Sequence, residues 1–119
     1  MAALVDAVRT GSLPGVRELV ERGVGVNTAD NDGWTPLHWA AAEGRMAVAH
    51  FLVDRGAGVS AADSRGWTPL HIAAMYGNVD VAQFLVDRGA DVSAADKWNR
   101  TPLHAVADDE APLDVVQFL

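Results

Sequence analysis

The chain has 119 residues, half of them apolar, and its 9 basic and 16 acidic side chains leave a formal charge of −7. That balance repels phosphate backbones and anionic lipid, so nucleic acid and membrane surfaces are poor partners. There is no cysteine for disulfides or thiolate metal sites, and no apolar run approaches the ~20 residues that cross a bilayer.

Met1-Ala2-Ala3-Leu4-Val5-Asp6 meets a charge too early for a secretory leader. The expectation is a soluble, cytoplasmic protein. Residues 1–29 already carry the spacing of the later units. Leu4 aligns with Leu37, Gly11 with Gly44, Leu19 with Leu52 and Gly23 with Gly56, each 33 residues apart. There is no Thr-Pro pair here, and Glu18 stands where Phe51 stands. A polar side chain at an apolar position suits a terminal unit, one face of which meets water. The segment 1–29 therefore reads as an N-terminal cap.

Residues 30–62 and 63–95 are two copies of one unit. Each opens with Asp at the first and Gly at the fourth place, Asp30 to Gly33 and Asp63 to Gly66, the signature of a type I turn. Thr35 and Thr68 then stand where a helix begins, able to cap a free backbone amide. Pro36 and Pro69 follow at the first helical position, where a missing N–H costs nothing. Leu37, Ala40 and Ala41 make a short apolar stripe at helical spacing, and Gly44 and Gly77 end this first helix. A second helix carries Val48, Phe51 and Leu52 in one copy and Val81, Phe84 and Leu85 in the next. Gly56 and Gly89 close it.

Residues 96–119 form an irregular third copy. Asp96-Lys97-Trp98-Asn99 puts Asn in the glycine place, and Asn also tolerates positive φ. Arg100 replaces the tryptophan and Val106 replaces Ala73. One extra residue falls near Asp108, Asp109, Glu110 and Pro112, where a longer or distorted turn is expected. The apolar Val115, Val116, Phe118 and Leu119 at the end lack a cover, which predicts fraying of 108–119 or a homodimer through that end, most naturally twofold.

Across these copies the string Thr-Pro-Leu-His recurs at Thr35–His38, Thr68–His71 and Thr101–His104, at a fixed spacing of 33 residues. A tract at that period marks an array of stacked units. With so many positions in register, the chain resembles the ankyrin-repeat family over nearly all of its length. The resemblance implies an all-α solenoid of stacked helix–turn–helix units with projecting hairpin-like loops. Eight helices would lie in four antiparallel pairs near residues 2–22, 35–55, 68–88 and 101–119. It also implies a role in protein–protein binding.

Neighbouring histidines in such a stack stand roughly 10 Å apart, whereas zinc needs its ligands within ~2.1 Å of one ion. His38, His71 and His104 therefore make no metal site if the family fold holds. The resemblance implies instead that each imidazole bonds backbone in adjoining loops. His50 has no counterpart and falls on a solvated helix face. No serine lies in a Gly-x-Ser-x-Gly setting, and there is no phosphate-binding or dinucleotide fingerprint. Asp108, Asp109 and Glu110 read as solvated rather than cation-binding. No enzyme activity and no cofactor are expected.

Trp34 and Trp67 occupy equivalent places between loop tip and first helix, which in the family face the concave, partner-binding side. Met75 and Tyr76 near the end of a first helix, and Arg65, Lys97, Trp98 and Arg100 on the loops, fall on the same surface by resemblance. Large aromatics and arginine most often dominate binding energy. The candidate contact residues are Trp34, Arg65, Trp67, Met75, Tyr76, Trp98 and Arg100. The bland alternative is that each tryptophan before Thr-Pro-Leu-His covers the neighbouring loop. Trp39 is expected to be partly packing. The function expected is a non-catalytic module binding a protein partner through that face. The alternatives are a fragment of a larger protein whose activity lies elsewhere, or an engineered scaffold, against which the irregular third copy argues.

Overall fold

The computed structural model describes residues 2–104. Six helices form three pairs, and no strand occurs among the described residues. α1 (Ala2–Thr10) pairs with α2 (Leu13–Glu21), α3 (Pro36–Glu43) with α4 (Met46–Asp54), and α5 (Pro69–Met75) with α6 (Val79–Asp87). Residues 102–104 are helical again. The rest of the expected fourth pair lies outside the described residues. So do Val106, the turn at Asp108, Asp109, Glu110 and Pro112, and the end at Val115, Val116, Phe118 and Leu119 with its expected homodimer contact.

Helices of seven to nine residues are too short to stand alone in water. Packing holds them. α3 lies between α1 and α5, and α4 between α2 and α6, so first helices form one layer and second helices the other. Leu4 and Val8, Leu37 and Ala40, and Leu70 and Ala73 fill the first layer, all fully buried; Val16, Leu52 and Leu85 fill the second. Each fully buried Leu or Val is worth roughly 1.5–3 kcal/mol over its exposed state. The stack is elongated, 39 × 25 × 21 Å.

Polar side chains tie one unit to the next at the expected period. Asn78 Nδ2 donates to the carbonyls of Ala41 (2.6 Å) and Ala42 (3.1 Å) at the end of α3. Its counterpart Arg45 donates from Nε to Arg9 O at the end of α1, 2.9 Å. Both satisfy carbonyls that a helix end leaves open. At the far end of the second helices, Arg55 pairs with Glu21 (3.8 Å) and Arg88 with Asp54 (3.0 Å). In the first unit Glu18, at the place of Phe51, is exposed and pairs with Arg22, which gives that end its polar face.

Candidate interaction face

One aspartate organises each loop. Asp63 Oδ1 accepts the backbone N–H of Arg65 and of Trp67, both at 2.8 Å. Asp96 Oδ1 does the same for Trp98 (2.9 Å) and Arg100 (2.8 Å), and Asp30 Oδ1 for Asp32 (2.9 Å) and Trp34 (3.0 Å). An aspartate that bonds the backbone just ahead of it fixes a tight turn without a strand. The backbone closes each turn, as Asp63 N–H donates to Trp67 O at 2.8 Å.

The other carboxylate oxygen reaches out of the loop. Trp34 Nε1 donates to Asp63 Oδ2 and Trp67 Nε1 to Asp96 Oδ2, each at 2.9 Å. Backbone bonds run alongside: Ser64 N–H to Asp32 O and Lys97 N–H to Arg65 O, both 2.9 Å. The loops come so close that Gly33 and Gly66 are required twice over. Their φ angles are 80° and 83°, and an added Cβ would lie 2.9 Å from Ser64 N and from Asp96 Cα respectively. Asn99 takes the equivalent place in the third loop with φ 61°.

The histidines complete the weld. His38 and His71 are fully buried. Their Nδ1 atoms accept the N–H of Thr35 and Thr68, both at 3.1 Å. Each ring therefore carries its proton on Nε2, which donates onward to Trp67 O (2.8 Å) and Arg100 O (3.0 Å) in the next loop. The pairing resembles a capping box in which histidine, at the third helical position, replaces the usual Glu or Gln. In the third copy His104 Nδ1 accepts Thr101 N–H at 3.0 Å, and the ring is exposed.

Burial pushes the pKa of His38 and His71 below the ordinary 6.5, against the carbonyl bonds and nearby carboxylates, which favour protonation. Burial would push Asp63 and Asp96 up. The hydrogen bonds they accept outweigh it and hold both carboxyls below the ordinary carboxylate value. Neutral imidazoles and ionised aspartates are therefore the states that fit this network.

The structure sorts the candidate contact residues. Tyr76, which caps α5, is 56 % exposed, and Trp98 at the third loop tip is 59 % exposed. Met75, Trp34, Arg65 and Arg100 are half-buried. Trp67 is only 8 % exposed. Its indole is fixed by Asp96, lies 6.2 Å from the His71 ring in a stack, and carries the Arg65 guanidinium at 4.1 Å. It packs over the neighbouring loop. Arg65 also pairs with Asp63 and Arg100 with Asp96, each at 3.0 Å. Trp34, Arg65, Trp67, Trp98 and Arg100 thus share one run of loop contacts. Met75 and Tyr76 sit at the other end of α5 from that run. Lys97 is exposed, as is His50, which stacks on Phe84 at 4.5 Å.

Trp39 is half-buried against Trp34 (4.7 Å) and under Arg9 (5.0 Å), so it packs as expected. Its Nε1 is buried with no partner among the described residues. Among the described residues, no three His, Asp or Glu side chains are grouped to hold a metal ion, and no helix is long and apolar enough to cross a membrane. Sequence reasoning missed the aspartates as hubs that join one loop to the next. Their signal is the recurrence of Asp30, Asp63 and Asp96 at the repeat period, which turn chemistry alone is enough to explain.

The pattern described as ankyrin repeats (many copies) matches residues 4–53, 37–86 and 73–119. The chain belongs to the ankyrin-repeat family, whose repeats generally mediate protein–protein interaction. Among similar proteins is 26S proteasome non-ATPase regulatory subunit 10 of Dictyostelium discoideum, 45 % identical over 49 residues, 40 % of this chain and 21 % of that protein. Protein phosphatase 1 regulatory subunit 27 of Mus musculus is 41 % identical over 51 residues, 43 % of this chain and 33 % of that one. Acyl-CoA-binding domain-containing protein 1 of Arabidopsis thaliana is 39 % identical over 49 residues, 38 % and 14 % of the two chains. The matched stretches thus span a third or less of these relatives.

Proposed function

We propose that the chain is a non-catalytic interaction module that binds a protein partner through the face formed by its loops and first helices. The observation that carries this is the rigid loop row. Asp, Trp and His side chains lock three loops together, and that row holds half-buried Trp34, Arg65 and Arg100 and an open Trp98 toward solvent. A preformed surface with aromatic and arginine anchors loses little entropy when it binds. The relatives named above differ widely in name while sharing the repeats, as expected of a recognition part carried by proteins with different work.

The test uses binders selected on the full chain by display. Trp67 is unsuitable for truncation because it holds the loops. Tyr76→Ala and Trp98→Ala alter exposed side chains only. Each hot-spot truncation is expected to cost on the order of 2 kcal/mol, about thirtyfold in affinity. Binders unaffected by both, and displaced instead by changes on the outer layer such as Met46→Ala or Gln83→Ala, would place the contact surface on the second helices.

A further inference from the structure

Two of the three loops carry an arginine–tryptophan pair, and the first loop breaks the pattern. In the second loop Arg65 lays its guanidinium over Trp67, Cζ to ring centroid 4.1 Å, and pairs with Asp63 at 3.0 Å. In the third loop the two residue types are exchanged. Trp98 stands at the place of Arg65 and Arg100 at the place of Trp67, and the pair still stacks, at 5.1 Å. In the first loop the tryptophan is present: Trp34 stacks with His38 at 5.7 Å, as Trp67 does with His71. At the place of Arg65, however, the chain carries Asp32.

The consequence is local and chemical. The Asp32 side chain is exposed, and its carboxylate has no partner among the described residues. Trp39, Trp67 and Trp98 each have an arginine over the ring, from Arg9, Arg65 and Arg100. Trp34 has none among the described residues. A cleft of about 320 Å³ opens at this point, lined by Asp32, Trp34, Trp39, Ser64 and Arg65.

We propose that this cleft takes an arginine side chain of the partner protein, its guanidinium over Trp34 and against the Asp32 carboxylate. The proposal rests on the loops being the interaction face. It follows the chain's own template, since the same indole position one repeat on is already covered by a guanidinium. A planar guanidinium suits the place better than an ammonium, because it stacks on an indole while its fork of donors meets a carboxylate. The Arg65 that lines the cleft does not oppose it, because the Asp63 carboxylate matches its charge. Trp39 offers an apolar wall for the methylene stem. A net charge of −7 draws a basic segment toward the chain.

The probes are three capped tripeptides, acetyl-Ala-X-Ala-amide with X arginine, lysine or norleucine, titrated into the full chain. The readout is the Trp34 indole N–H resonance. The arginine peptide is expected to shift it saturably, and the lysine peptide to bind about threefold or more weakly. Asp32→Asn should weaken the arginine peptide by about three- to tenfold. Asp32→Arg should abolish the shift, because it builds the second loop's arrangement within the first. Both changes fall on an exposed turn position, and circular dichroism checks that the helices persist. Should one of them unfold, the other carries the test. No Trp34 shift, equal binding of arginine and lysine, or wild-type binding by the folded Asp32 variants would overturn the proposal. Display-selected binders separate it from the broader reading. Binders lost on Trp98→Ala but indifferent to Asp32→Arg sink the arginine cleft and leave the interaction face standing. Binders mapping to the second helices sink both.

Discussion

Replacing Asp63 tests whether a buried carboxylate holds the loop row together. Its two oxygens accept four hydrogen bonds, from the backbone N–H of Arg65 and Trp67, the Trp34 indole and the Arg65 guanidinium. In Asp63→Ala the Arg65 groups, which are half-buried, can turn to water. The buried Trp67 N–H and the half-buried Trp34 indole cannot do so fully. Hydrogen bonds to a charged acceptor are worth about 1.5–3 kcal/mol net, and some of that loss is offset by no longer burying the charge. The expected cost is therefore about 3 kcal/mol, from a total of roughly 5–15 for a domain of this size. It should lower Tm by about 12 °C or more. Asp63→Asn keeps one carbonyl oxygen but turns an amide N–H₂ toward two donors, so it should lose about 2 kcal/mol despite its matching shape. Urea unfolding followed by circular dichroism gives both values. If Asp63→Ala unfolds within about 0.5 kcal/mol of the parent, the ordinary range for surface changes, the loops do not depend on this carboxylate.

Gly66→Ala should cost about 1–3 kcal/mol, because φ is 83° and the new Cβ meets backbone at Asp96 Cα. Thermal melting checks it, and an unchanged Tm would mean that the loops stack more loosely than this spacing requires. Trp39→Phe removes a buried N–H that has no partner among the described residues, so it should cost less than Trp34→Phe, which also forfeits the bond to Asp63. Paired melts of the two variants read the difference, and the reverse order refutes it. His38 and His71 should titrate below 6.5 by NMR, since burial depresses both. A depressed pKa means that the unfolded chain binds the proton more tightly. The contribution of each histidine is therefore present above pH 6.5 and lost as pH falls through its folded value. Asp63 and Asp96 repeat this below 3.8. Midpoints above 6.5 for the two imidazoles would contradict their neutral, buried state.

The repeat was legible because one physical demand recurs. Thr35-Pro36 and Thr68-Pro69 start helices, and Gly33 and Gly66 let loops approach, so the same residues return at the same interval. Asn99 was readable as a glycine substitute because it, too, adopts positive φ. Side-chain wiring was less legible. A threonine before proline suggests that its hydroxyl caps the helix, yet the stronger tie runs from threonine N–H to the histidine ring, with His71 N to Thr68 Oγ1 at 3.4 Å. Trp67 looked like a contact residue because aromatics at interfaces and aromatics over loops share one sequence. The bond from Trp67 to Asp96, 29 residues on, depends on how the loops stack and is not visible in the sequence. The gap at Asp32 was invisible for the same reason. It exists only by comparison with where Arg65 lies over its indole.

The most direct measurement is a backbone and indole amide shift map of the full chain with a display-selected binder bound. The largest shifts are expected in residues 30–34, 63–67 and 96–100 and at Met75 and Tyr76, with the Met46–Asp54 and Val79–Asp87 helices nearly unmoved. Shifts concentrated on those two outer helices, with the loops silent, would contradict the account.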